Sequence, residues 1–146
     1  MVIGIIGGGA SGMAAALSAA EKEETQVVLL ERQARVGRKL LATGNGRCNL
    51  TNLHAAVGGY HGSAPEFARY AIEMFPPEKT LDWFRSLGLL TLAEDSGRVY
   101  PYSDQANSVV DVLRFALEGG ASVIVRPSGT EPKIKLYFTT LGKDLA

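Results

Sequence analysis

The hexapeptide Gly7-Gly8-Gly9-Ala10-Ser11-Gly12 constrains this chain more than anything else in it. It fits G-x-G-x-x-G, and its surroundings give the pattern meaning. Before it runs Val2 to Ile6, a short apolar stretch of the kind a strand of a parallel sheet shows when both its faces are buried. After it comes the Ala-rich stretch from Ala10 to Lys22, a strong helix former, and then Gln26 to Leu30, which reads as a second strand ending at Glu31. Strand, glycine turn, helix and strand make a βαβ unit with a right-handed crossover. In that unit Gly7 permits the tight turn, Gly9 lets backbone approach a pyrophosphate, and Gly12 lets the helix pack closely on the strand. Ala10 and Ser11 open the helix, whose unpaired N–H groups and positive dipole end face that anion. Glu31 lies nineteen residues after Gly12, where an acid can accept from ribose hydroxyls. The alternatives are a ligand-free turn and a solvated strand-end acid; the spacing favours a dinucleotide.

Composition removes several other classes. Fifteen Lys+Arg balance fifteen Asp+Glu, so the chain lacks the basic excess that a nucleic-acid partner would select. One Cys and two His offer no disulfide framework and make a zinc site improbable, so no metal is expected. No apolar run approaches the ~18 residues of a spanning helix. The apolar start is broken by glycine and lacks a basic flank, so no signal peptide is expected. A cytoplasmic protein with no membrane partner is the expectation. The 146 residues and 46% hydrophobic content suit one ordinary globular domain.

Beyond Glu31 the pattern loosens. Six glycines fall between residues 32 and 63 without sustained periodicity, as in a functional loop. Phe67, Tyr70, Ala71 and Met74 then repeat at helical spacing, Pro76-Pro77 interrupts, and Glu78 to Leu87 restarts a helix that Gly88 stops. Leu89 to Ala93 and Arg98 to Tyr100 read as a hairpin around Asp95-Ser96-Gly97. Ala106, Val109, Val110, Leu113 and Leu117 mark another amphipathic helix. Past Gly119-Gly120 the texture changes to two β-rich stretches, Ala121 to Arg126 and Lys133 to Phe138, flanking a polar tip: a hairpin. Ala121 to Arg126 is also placed to supply a third parallel strand.

The residue after Glu31 bears on which dinucleotide binds. Arg32 could face a 2′-phosphate, which would suggest NADP, or be a surface arginine. The run from Arg35 to Asn52, with Arg38-Lys39 and Thr43-Gly44-Asn45-Gly46-Arg47-Cys48-Asn49 inside it, is more specific. Together with Gly7–Gly12 and Glu94 to Ser103, it resembles the aminoacetone-oxidase-like family of FAD-binding flavoproteins over residues 1–117. The resemblance implies a Rossmann-like FAD/NAD(P)-binding α/β core, incomplete here, in an oxidoreductase with NAD(P)H as a candidate electron donor. It also implies that Gly7, Gly9 and Gly12 hold the pyrophosphate and Glu31 the adenosine ribose. Arg38, Lys39, Gly44, Asn45, Gly46 and Arg47 would then lie near pyrophosphate and flavin. Glycines let N–H groups reach the ring edge, and the cations could offset phosphate or reduced-flavin charge. Cys48 reads as a structural thiol, His54 and His61 as polar loop residues, and Trp83 as core.

A second resemblance begins near Glu118. Arg126-Pro127-Ser128-Gly129-Thr130-Glu131-Pro132-Lys133 is similar to the phosphate-binding loop in the C-terminal domain of α-D-phosphohexomutases. That implies phosphate contacts by Arg126, Ser128, Gly129 and Thr130 on a β-hairpin spanning 118–146. The expected organisation is therefore a truncated flavoprotein domain, 1–117, joined to a mutase fragment. Its function would be FAD-based redox chemistry, or phosphosugar binding by the tail, or neither in an inert fusion. The two halves are expected to act independently, with Arg126 remote from the Gly7–Gly12 turn.

Overall fold

The computed structural model describes residues 1–119, 122–127 and 134–138. The apolar run forms strand β1 (Val2–Ile6), and the Ala-rich stretch forms helix α1 (Ala10–Ala20). Strand β2 (Gln26–Leu30) returns parallel to β1, with Ile6 beside Leu30. After single 3-10 turns and a two-residue strand β3 (Thr51–Asn52) come α2 (Arg69–Met74) and α3 (Pro77–Ser86). Strands β4 (Thr91–Ala93) and β5 (Arg98–Pro101) lead to α4 (Ala106–Gly119), and β6 (Ser122–Pro127) and β7 (Ile134–Phe138) follow. The fold is α/β with a Rossmann-like core.

Two compact units divide these elements: Met1–Leu41 with Val110–Ala146, and Ala42–Val109. This partition differs from a boundary near Leu117. In the first unit the sheet order is β1-β2-β6-β7, with β1, β2 and β6 parallel and β7 antiparallel at the margin. The tail, expected to stand apart, thus continues the first sheet, and Ser122–Pro127 takes the place of the third parallel strand. The order β1-β2-β6 is half of the doubly wound arrangement.

Burial in this unit centres on β2 and α1. Met13, Ala16, Val27 and Leu29 are fully buried, and α1 packs on β1 and β2. Each of the larger side chains contributes roughly 1.5–3 kcal/mol by leaving water. β1 departs from the two-sided burial its sequence suggests: Val2 is 67% and Ile6 88% exposed. Among the described residues β1 pairs with β2 alone, so its apolar side chains line a sheet margin.

The second unit holds the antiparallel sheet β3-β5-β4. Its β4–β5 turn closes with Gly97 at φ +79°, donating to the Glu94 carbonyl at 2.8 Å. Phe84 is buried and meets Trp83 edge-on at 4.9 Å, while Trp83 itself is half-buried. The helical face expected from Phe67, Tyr70 and Met74 is not covered; Phe67 is 92% and Tyr70 75% exposed. The periodic stretch begins as a 3-10 turn at Pro65–Ala68 and continues as a six-residue helix. That change of pitch breaks up the stripe a continuous α-helix would present.

Candidate functional site

The site in the first unit grows from the carboxyl ends of β1 and β2. Beyond Ile6 the chain turns at Gly7, whose φ of +99° favours glycine. The Gly7 N–H donates to the Leu30 carbonyl at 2.7 Å, tying the turn to β2. Gly8 is buried, and its N–H donates to Glu31 Oε2 at 2.7 Å. Glu31 Oε1 accepts the Gln33 N–H at 2.6 Å. Each carboxylate oxygen therefore carries one donor and keeps a second lone pair, the arrangement needed to accept a vicinal diol.

Helix α1 starts at Gly9 with no side-chain cap and no acidic residue in its first turn. Its opening N–H groups are thus offered to an anion rather than to the protein's own carboxylates. Gly9 and Gly12 differ sharply in their surroundings. A Cβ on Gly9 would meet nothing within 4 Å, whereas one on Gly12 would lie 1.8 Å from the Gly7 carbonyl oxygen. Gly12 lets the helix rest on the turn, and Gly9 leaves an open approach to backbone. A pyrophosphate with an attached ribose fits these residues.

Three residues that the motif leaves unspecified complete the turn. The Gly37 N–H donates to the Gly8 carbonyl at 2.7 Å, and Val36 is buried against Gly8. Gly37 has φ +70°, and a Cβ there would come within 2.8 Å of Val110. Their one sequence signal is an apolar Val-Gly pair inside the basic run from Arg35 to Lys39. Gln33 is the third: its side-chain oxygen accepts from Arg38 Nη1 at 2.6 Å while its N–H holds Glu31. Arg38 is thereby linked to the Glu31 carboxylate through one neutral residue. Arg32 and Lys39 are exposed and form no ion pair among the described residues. Ala10 and Ser11 are exposed at the helix start. Arg126 lies in β6, and Ser128, Gly129 and Thr130 lie outside the described residues.

The second unit contains the other predicted group. Gly44, Asn45 and Gly46 all have positive φ, at +54°, +56° and +86°. This left-handed run closes with the Cys48 N–H on the Thr43 carbonyl at 3.0 Å. A Cβ on Gly44 would approach the Asn49 nitrogen to 2.8 Å. Arg47 is anchored by carboxylates: Nη2 donates to Glu94 at 2.8 Å, and Nε donates to Asp104. Its guanidinium lies 3.8 Å from the centre of the Tyr100 ring. Hydrogen bonds to Asp104 first and Glu94 second hold it above even its ordinary pKa. Its charge is matched within the unit, whereas among the described residues Arg38 and Lys39 of the expected group form no ion pair with a carboxylate. Glu94, Tyr100 and Asp104 could not be picked out by spacing, because they are 47, 53 and 57 residues from Arg47.

Cys48 is 2% exposed, and burial pushes its thiol up from the ordinary 9.0, against a weaker opposing hydrogen bond with Thr43. A protonated, enclosed thiol is a poor nucleophile. At pH 7.5 iodoacetamide should alkylate the native chain about tenfold more slowly than the chain in urea; equal rates would contradict the burial. His54 and His61 are exposed. Among the described residues no group of three or more His, Cys, Asp or Glu is placed to hold a metal ion. Among them, too, no helix is long and apolar enough to cross a membrane.

Comparison with known proteins decides the family. The HI0933-like protein Rossmann domain matches residues 1–130. The chain belongs to this family. Across 116 residues it is 52% identical to the 3-dehydro-bile acid delta(4,6)-reductase of Clostridium scindens, covering 79% of this chain and 28% of that protein. It is 33% identical over 116 residues to the ribosomal RNA dihydrouridine synthase of Escherichia coli, covering 80% and 28% respectively. The chain thus spans less than a third of these relatives' length. A separate similarity, 62% over 34 residues, links 23% of the chain to 7% of a probable phosphomannomutase of Haemophilus influenzae. The HI0933-like match extends past Leu117 into β6, where the sheet also continues. The relatives support a flavin-type oxidoreductase fragment with a nucleotide cofactor.

Proposed function

We propose that the first unit binds FAD, as in the aminoacetone-oxidase-like flavoproteins, and is the nucleotide-binding part of a flavin-dependent oxidoreductase. The pyrophosphate lies on the Gly7–Gly12 turn and the start of α1, and the adenosine ribose lies on Glu31. The observation that carries this is the pairing of an uncapped helix start at Gly9 with Glu31 fixed by the Gly8 N–H, each oxygen retaining an acceptor site. When bound, the flavin supplies hydride or electron transfer. The protein's part is to hold the nucleotide, with Arg38 and Lys39 contributing positive charge near it. The relatives are named for a bile-acid reduction and an RNA dihydrouridine synthesis, two unlike substrates, which supports reading the segment they share with this chain as nucleotide-binding rather than substrate-binding.

Thermal unfolding tests this reading. FAD at a hundredfold excess over its dissociation constant should stabilise the chain by about 2.7 kcal/mol and raise its Tm, because a ligand stabilises only the state it binds. NADP should leave the Tm unchanged. Protection by NADP and not by FAD would mean that Arg32 faces a 2′-phosphate, and the flavin reading would fail. The similarity to a phosphomannomutase supports a second reading, a phosphosugar site at Arg126, Ser128, Gly129 and Thr130. Isothermal titration with mannose 6-phosphate tests it, and a single phosphate contact set of this kind should bind no tighter than about millimolar.

A further inference from the structure

We propose that Asn45 is a site of spontaneous deamidation, gated by Arg47, whose anchored side chain holds the Gly44–Gly46 turn closed. All the residues involved lie in the second unit, so the proposal does not depend on the nucleotide reading. Asn45 and Gly46 are both exposed. An Asn-Gly pair is where this chemistry meets least hindrance, because glycine has no side chain to cover the attacking nitrogen. In the reaction the Gly46 backbone nitrogen attacks the side-chain carbonyl carbon of Asn45. A C–N bond forms, the side-chain amide nitrogen leaves as ammonia, and a succinimide ring results. Water then adds to either ring carbonyl and opens it, to an aspartyl or an isoaspartyl residue. Water is the sole co-reactant, and nothing is oxidised or reduced.

The closed turn forbids that attack. Asn45 is left-handed, with φ +56° and ψ +40°, a conformation asparagine tolerates better than most residues. In an L-residue this ψ sets the Gly46 nitrogen across the Cα–C bond from Cβ, whereas ring closure needs the two on the same side. Asn45 must therefore leave the left-handed region before it can react. Both flanks of the turn resist this. Gly44 is packed so closely that a Cβ there would lie 2.8 Å from the Asn49 nitrogen and 3.2 Å from the Tyr100 ring. The Arg47 N–H donates to the Gly44 carbonyl at 3.2 Å, and the Arg47 guanidinium donates to Glu94 and Asp104. The turn thus opens only as far as that anchor lets go. An isoaspartyl product adds a backbone carbon inside the loop that the Thr43–Cys48 hydrogen bond closes, so the modified turn cannot recover its original geometry.

The test incubates the intact 146-residue chain at neutral pH and follows the asparaginyl, aspartyl and isoaspartyl forms of the Asn45 peptide by mass spectrometry. Reaction from a transiently opened state tracks the population of that state, so the folded chain should react at least about thirtyfold more slowly than the chain in urea. Asp104→Asn takes one carboxylate from Arg47, and asparagine suits the φ of +57° at that position, so the fold is kept. This variant should deamidate at Asn45 about fivefold faster when folded and at the parent rate in urea. Arg47→Ala should be faster still. Equal rates in the folded and urea-unfolded parent would overturn the protection by the turn. A folded Asp104→Asn chain, checked by circular dichroism, that reacts at the parent rate would overturn the gating by Arg47. Failure of Asn45 to react even in urea would remove the site altogether.

Discussion

Gly12→Ala should destabilise the chain by about 3 kcal/mol, against the usual sign of such a change inside a helix. Gly12 lies in the first turn of α1, and alanine in a helix is ordinarily favoured over glycine by about 1 kcal/mol. Here the added methyl would sit 1.8 Å from the Gly7 carbonyl oxygen and 3.0 Å from its carbon. Both belong to backbone, and Gly7 is tied to Leu30 by its own N–H, so neither can swing aside as a side-chain tip would. Relief requires lifting α1 from the turn, which also loosens Met13 and Ala16, both fully buried. Urea unfolding followed by circular dichroism measures the effect as a lower midpoint with an unchanged slope. A midpoint equal to or above that of the parent chain would show that helix and turn are not in contact.

Gly9→Val should have the opposite profile, a large loss of binding with little loss of stability. Gly9 has φ −80° and ψ −172°, extended backbone that valine adopts readily, and its Cβ position is open to 4 Å. The folding cost is therefore confined to the poorer N-cap, a few tenths to about 1 kcal/mol. The isopropyl group occupies the space through which a pyrophosphate must reach the N–H groups of Ala10 and Ser11. FAD affinity by fluorescence titration should fall about a hundredfold, near 2.7 kcal/mol. Unchanged affinity would remove the Gly7–Gly12 turn from the site. The two glycines form an internal control, since one tests packing and the other access.

What could be read directly from the residues was local. The succession of β1, turn, α1 and β2 follows from two periodicities and three glycines that lie within the first thirty residues. Steric rules on φ, helix propensity and apolar spacing act over a few residues, so they leave their mark in the chain itself. The position of Glu31 at the end of β2 and the turn at Gly97 were legible for the same reason. Phe67, Tyr70 and Met74 show the limit of that logic. Their spacing is helical, yet a 3-10 start and a short α2 leave the stripe exposed.

The contacts that turn those elements into a site were decided by tertiary structure. Glu31 meets Gly8 because the parallel register sets Ile6 beside Leu30, and register depends on burying Val27 and Leu29 together. Val36 and Gly37 close on Gly8 through one backbone hydrogen bond, for which residue type gives no signal. Arg47 meets Glu94, Tyr100 and Asp104 because the β4–β5 hairpin and the turn after it bring these distant residues to it. The tail is the clearest case. Its sequence resembles a different family, but an apolar strand with unpaired edges is accepted by any sheet offering a matching edge, because backbone hydrogen bonds do not depend on sequence origin. Residues alone marked Ala121 to Arg126 as a strand; pairing with β2 decided that this stretch joins the first sheet as its third parallel strand.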